Sequence, residues 1–485
     1  MVGTDMSDTR GLLDRITAFR QRLEAVQSLI PEAVALEASE DSAIVSEAEV
    51  FRHQLQQIVG VSEVAEGPPP PQLTDRARRL LIMAKQLIDR QRAIATDPLF
   101  GLAGAEGPDP LIDYHRETIA VADSAIRVAQ SFPNSPLAQL KQCEGLEGLL
   151  GVVQERLTIQ ERTLIRRRTD ADRIDRLASV YASMSTGAPV GLTAIAALAE
   201  ELLEDARNAQ PLRFLQTLVD SVSSHSGAVG FPAPVRYLAS HAINVAQVVA
   251  RLVPFNPECQ SRPLLAVVGA LLIDCGMTAI PVATLARPGG LPSDERRLVD
   301  THAQIGAELI LRCFPEIAPL AAAVSSHHER VDGTGYPSGL RGTTIPNLAR
   351  LLAVADVYAA LNENRPYRPA RDGRAALTEV LLLAEHGLLD RDSAAILVRL
   401  SFYPVGAVVE LTDGRVGVVV ANHPNPSDPR APGRPVIAVL SNSDETLLPH
   451  PEHLDLATAD RGGILRALAA DQRRRLLGGR YPELV

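Results

Sequence analysis

The sequence predicts a mainly α-helical protein that ends in a small β-rich appendage. Three observations carry that expectation. Trp is absent and aromatic residues make up only 4% of 485 positions, so cores must be built from Leu, Val, Ala and Ile, which favours helix packing. Apolar residues recur with helical periodicity along most of the chain to about residue 400. After Tyr403-Pro404-Val405-Gly406 the period falls to two, in short runs separated by turn residues.

The chain is too long for one ordinary core, and two to four units are expected. An apolar content of 46% with 22% charged residues is that of a soluble globular protein. A net charge of −10 argues against a general nucleic-acid binder, so an anionic ligand would have to meet a local basic cluster. The longest apolar run, Leu264 to Ile273, is half a membrane span. The opening Met-Val-Gly-Thr-Asp shows no export signal. Cys143, Cys259, Cys275 and Cys313 show no paired spacing and suit a reducing compartment. The expectation is a cytoplasmic protein without a membrane span.

In order along the chain, residues 1–66 hold amphipathic helices. Leu12, Ile16, Phe19, Leu23, Val26 and Ile30 form an a/d seam that ends at Pro31. It fits a helix packed on its own chain and a homodimeric coiled coil equally well. Gly67-Pro68-Pro69-Pro70-Pro71 is a stiff break. Helices near 73–95, 111–131 and 137–183 make up a region, 73–185, of unknown role, with Arg166-Arg167-Arg168 read as a solvated face. Residues 190–400 have a different texture, with helical periodicity in 235–253, 263–275, 293–313, 316–328, 346–362, 374–386 and 391–400. The appendage, 401–485, closes with a helix. Val408 to Leu411 and Val416 to Ala421 flank a Thr-Asp-Gly-Arg turn as a hairpin, and Pro435 to Leu440 is a third strand.

The chemistry is concentrated in His327-His328-Glu329 and the following Asp332-Gly333-Thr334-Gly335-Tyr336-Pro337. Imidazole binds borderline divalent metals, and two adjacent rings beside a carboxylate suggest more than one ion nearby. The glycines let backbone approach a ligand closely, and Tyr336 offers an aromatic face. His241, Asp274, His302 and Asp356 each interrupt an otherwise apolar helical stretch, and together with His327 and His328 they recur at intervals of 25 to 33 residues. An unpaired buried carboxylate costs several kcal/mol, for which a bound cation compensates, so these residues point to one shared site.

These motifs, with Arg365-Pro366-Tyr367-Arg368 and Gly339 to Pro346 between them, resemble the HD-GYP family, a branch of the HD metallophosphohydrolases. The likeness runs from about 235 to 370, more weakly back to 190, and through the appendage to 457. It implies that residues 190–400 form an HD-type all-α metallophosphohydrolase domain. Such domains hold two or three ions, usually iron or manganese, and hydrolyse cyclic di-GMP to the linear dinucleotide or GMP. By motif, His241 matches the first His, Asp274 the bridging and catalytic Asp, and Asp356 the final Asp. His302, His327 and His328 match ligands of the second ion. Tyr336, Arg365 and Arg368 match positions that meet bases and phosphates. Elementary chemistry agrees: a cation depresses the pKa of water to about 7, and a bridging carboxylate spans ions roughly 3.5–4 Å apart. Arg365 and Arg368, three residues apart, would share one side of a helical turn, and their planar forks suit phosphate oxygens.

The departures from the family pattern are as informative as the matches. Ile273 stands where the His of the naming His-Asp pair belongs, Met277 replaces a Lys, and Tyr237 replaces an additional Glu ligand. Arg287-Pro288-Gly289 replaces Lys-Pro-Gly and keeps the charge, leaving Arg287 a ligand-binding candidate. One well-held ion and a second weak or absent one are therefore expected. The expected function is a metal-dependent cyclic di-GMP phosphodiesterase with an impaired first metal site, in bacterial second-messenger signalling. The alternative is a catalytically inactive cyclic di-GMP receptor or protein-interaction module.

Overall fold

A computed structural model describes residues 71–101, 109–130, 136–208, 210, 212–215, 233–285, 290–363, 370–371, 373–398, 403, 405–421, 433–458, 463–478, 480–481 and 484. The a/d seam before Pro31, and with it the homodimer it would mediate, lies outside the described residues, as do Arg287, Arg365 and Arg368.

Three helices open the described chain: α1 (Pro71–Ala95), α2 (Pro110–Gln130) and α3 (Pro136–Thr186). Each begins on proline, whose missing N–H costs nothing in a first turn. α1 and α2 pack on the first half of α3 around Leu80, Leu87, Leu111, Leu146, Leu150 and Leu157. The layer beneath them is polar. Arg156 lies 3.8 Å over the Tyr114 ring and donates to Thr118 Oγ1 and the Tyr114 carbonyl. The arginine run is solvated only in part: Arg168 is exposed, whereas Arg167 is turned inward. Arg167 grips the wholly buried Asp109 carboxylate at 2.6 and 2.7 Å, and Arg168 reaches Asp97. Charge runs read as solvated fail where a partner carboxylate comes from a remote loop.

The 51 residues of α3 span roughly 75 Å at 1.5 Å per residue. Its second half leaves the first bundle and enters another core, where Ile174, Leu177, Tyr181 and Met184 meet α4 (Leu192–Arg207). No proline interrupts the helix, so the two cores share it, and a boundary near 185–190 falls after these residues. The Tyr181 hydroxyl donates to the Leu271 carbonyl at 2.7 Å and ties α3 to the end of α6 (Pro263–Leu271).

The second core is built around α5 (Ala233–Leu252), with α3, α4, α6 and α10 (Asn347–Leu361) against it. Residues Pro234–Phe255 are long and apolar enough to cross a membrane, yet 83% of that window is buried inside the fold. α7 (Ser293–Asp300), α8 (His302–Cys313), α9 (Pro319–Ser325), α11 (Gly373–Glu385) and α12 (Arg391–Leu397) complete the domain.

Several helices stop earlier than periodicity predicts, and the differences fall at the site. The 263–275 helix ends at Leu271 and turns into a 3-10 segment, Cys275–Ala279. The 293–313 helix breaks at Thr301, and the 316–328 helix ends at Ser325. Asp274, His327 and His328 therefore stand just beyond helix ends rather than on apolar helical faces. Apolar residues continue through these turns because the turns are themselves buried, so periodicity alone runs past them.

The appendage is an antiparallel sheet in the order β4-β3-β2-β1-β5: β1 (Val408–Leu411), β2 (Val416–Ala421), β3 (Val436–Ser441), β4 (Leu447–Asp455) and β5 (Ile464–Ala467). The β1–β2 hairpin pairs Val408 with Val418 and turns through Gly414 at φ 84°. α13 (Ala470–Leu477) follows the last strand. β4 and β5 escaped the sequence reading. β4 is an edge strand carrying Pro449 and Pro451, which an interior strand would not accept, and β5 is four residues long. Arg374 of α11 donates to the Tyr403 hydroxyl and the Leu465 carbonyl, joining helical domain and sheet.

Candidate metal centre

Asp274, His302, His327 and His328 converge, with one ligand atom from each within 4.8 Å of the others. Local backbone sets the imidazoles. His302 Nδ1 donates to the Val299 carbonyl at 2.6 Å and His327 Nδ1 to the Val324 carbonyl at 2.5 Å, each three residues upstream. A proton held on Nδ1 leaves Nε2 as a bare lone pair, the form that ligates metal. Burial holds His327 below its ordinary pKa, and burial with the neighbouring His327 does so more strongly for His328. The Nε2 atoms of His302 and His327 are nevertheless 3.4 Å apart, and His328 Nε2 is 3.2 Å from His302 Nε2. Lone pairs facing one another at that range repel unless a cation lies between them. Asp274 Oδ1, 3.4 Å from His302 Nε2 and 3.9 Å from His327 Nε2, supplies the negative charge. The donor set, three imidazoles and one carboxylate, fits a divalent transition-metal ion.

The other oxygen of Asp274 looks the opposite way, with Oδ2 3.8 Å from His241 Nε2. His241 also stands 2.9 Å from Asp356 Oδ1, and its Nδ1 is 2.9 Å from both oxygens of Glu363. Burial alone would depress this imidazole, but Glu363 and Asp356 overcome it and raise its pKa well above the ordinary value. Burial would likewise raise Asp356, but the His241 contact holds its carboxyl well below the usual range. All six predicted ligands thus gather around Asp274, divided into an imidazole-rich quartet and a His241–Asp356 half. On the second side Ile273 is wholly buried in the apolar core, with Met277 and Tyr237 half-buried against it. Cys275 offers no replacement: its thiol faces the Gly306 carbonyl at 3.7 Å, and burial raises its pKa.

The glycine-rich loop is drawn over the quartet by Glu329, which is only 2% exposed and accepts from the amides of Ser338 (2.7 Å) and Leu340 (2.9 Å). Asp332 accepts from the amide and hydroxyl of Thr334. Gly335 passes so close to residues 328–330 that a Cβ would lie 2.3–2.5 Å from their backbone. This approach lets Tyr336 stack on His328, with ring centroids 4.8 Å apart and an interplanar angle of 29°. Gly276 serves a similar purpose below the site, where a Cβ would sit 2.0 Å from the His302 carbonyl. Gly276→Ala is therefore expected to cost about 3 kcal/mol in denaturant unfolding, at the upper end for overpacking, and to displace His302. An unchanged unfolding midpoint would refute this.

Sequence reasoning missed Glu363 and Asn244. Both carried a weak signal, since Glu363 follows Asp356 by seven residues, two helical turns, and Asn244 follows His241 by three.

With this geometry in place, the comparisons with known proteins are specific. Residues 234–392 match the family described as HD domain. This segment is an HD domain. Residues 408–476 match the KOW domain associated with the HD domain, which accounts for the appended sheet. The chain is 41% identical over 155 residues to the cyclic di-GMP phosphodiesterase PA4108 of Pseudomonas aeruginosa, covering 32% of this chain and 37% of that protein. It is 44% identical over 121 residues to the cyclic di-GMP phosphodiesterase response regulator RpfG of Xanthomonas campestris, covering 25% and 32%. A 3'3'-cGAMP-specific phosphodiesterase 3 of Vibrio cholerae is 40% identical over 101 residues, covering 21% and 22%. The chain thus spans between a fifth and two fifths of these relatives' lengths. HD domains hold divalent metal, and the quartet is a cluster of the required kind.

Proposed function

We propose that the protein is a metal-dependent cyclic dinucleotide phosphodiesterase of reduced activity, acting on cyclic di-GMP in the cytoplasm. The carrying observation is the convergence of three imidazoles and the Asp274 carboxylate, with ligand atoms within 4.8 Å of one another and Tyr336 stacked on His328. In this reading the quartet holds one ion firmly, iron or manganese. The His241–Asp356 half holds a second weakly, because Ile273 contributes no ligand. A bound divalent ion supplies Lewis acidity at a phosphoryl oxygen and lowers the pKa of water. The chain's own contribution is orientation. Asp274 presents one oxygen to each half, so its carboxylate could serve an ion held on either side. Tyr336 offers an aromatic face for a base, and Arg365 and Arg368 suit the phosphates by their forked chemistry.

Ile273 and Met277 favour a second reading, a receptor that binds the dinucleotide without turnover. Metal analysis of the purified chain, together with linear product from cyclic di-GMP under added Mn(II) or Fe(II), separates the two. The enzyme reading expects at least one ion per chain and slow linear product. Tight binding of cyclic di-GMP with no product at full metal occupancy would establish the receptor instead.

A further inference from the structure

His302 and His327 each have their Nδ1 proton taken by a backbone carbonyl, whereas His241, in the middle of α5, has no such neighbour. Its Nδ1 faces Glu363, a side chain 5% exposed that lies just past the end of α10. The direction of every bond in this chain of contacts can be assigned. The Leu215 amide donates to Asn244 Oδ1 at 2.7 Å, which fixes the oxygen of that wholly buried amide towards Leu215. Asn244 Nδ2 must then be the donor to Glu363 Oε1, 2.7 Å away. Both oxygens of Glu363 stand 2.9 Å from His241 Nδ1, where a carboxylate is placed to accept that nitrogen's proton.

We propose that Glu363 is the positioning residue of His241, taking its Nδ1 proton and so turning Nε2 towards Asp274 and Asp356. Carboxylate–histidine pairs of this kind orient metal-ligating rings, and their loss typically costs 10–100-fold in affinity. Asn244 in turn orients Glu363. This assignment rests on the metal-centre reading, but its first test is made on the protein without metal and is independent of turnover.

The substitution Glu363→Gln is nearly isosteric. The Gln oxygen keeps the Asn244 donor, and its amide N–H takes the place of the second carboxylate oxygen, 2.9 Å from Nδ1, which then faces a donor where the native protein has an acceptor. Long-range proton–nitrogen NMR of the full chain with 15N-labelled histidine, freed of metal, reads this directly. The expected result is a protonated Nδ1 at His241 in the native protein and an unprotonated one in the variant. In Mn(II) titrations the weaker class of site should fall 10–100-fold in affinity while the tighter class is unchanged. A native His241 with unprotonated Nδ1 overturns the proposal even if the variant does not fold. A variant with Nδ1 still protonated and an unaltered titration overturns it equally.

Discussion

Asp274→Asn is expected to reduce cyclic dinucleotide hydrolysis by about 100-fold or more, since even the loss of an outer partner costs 10–100-fold. The residue supplies the only carboxylate of the quartet, and its second oxygen faces His241, so one substitution weakens both halves. A readout that needs no turnover is metal-linked stability. An ion at a hundredfold excess over its Kd stabilises a fold by about 2.7 kcal/mol, and the variant should lose most of that. Unfolding curves with and without Mn(II) provide the measurement. Equal stabilisation of native and variant protein would remove Asp274 from the metal centre.

Ile273→His combined with Met277→Lys should act in the opposite direction. Ile273 is fully buried beside Asp274, where an imidazole without a partner costs about 1–3 kcal/mol. The metal-free variant should therefore be less stable than the native chain, and added metal should recover the difference. Turnover should rise by about 10–100-fold, and one further ion should bind per chain. Ion content equal to that of the native protein would show that the missing ligand is not what limits this half of the site.

The helical fold and the gathering of His241, Asp274, His302, His327, His328 and Asp356 followed from periodicity and motif. A polar side chain in an apolar stretch must be paired, and residues of one chemical type in one domain tend to be paired together. Their local setting did not follow. Asp274, His327 and His328 were expected on helices but stand in buried turns, where the apolar pattern continues without the helix. Cys275, next to Asp274 in sequence, faces away from the site because it belongs to a 3-10 turn packed on Gly306. Arg167 was expected in solvent because its partner, Asp109, is 58 residues distant in sequence and invisible to any local rule.

By itself, the sequence determined which residues could ligate an ion, that Ile273, Met277 and Tyr237 had left the pattern, and that the architecture is helical with a β appendage. These are properties of side-chain chemistry and short-range order, which spacing records. Only the tertiary structure decided that Glu363 stands behind His241 and that α3 serves two cores. Those outcomes depend on contacts between segments as much as 122 residues apart, where packing, not spacing, chooses the partner.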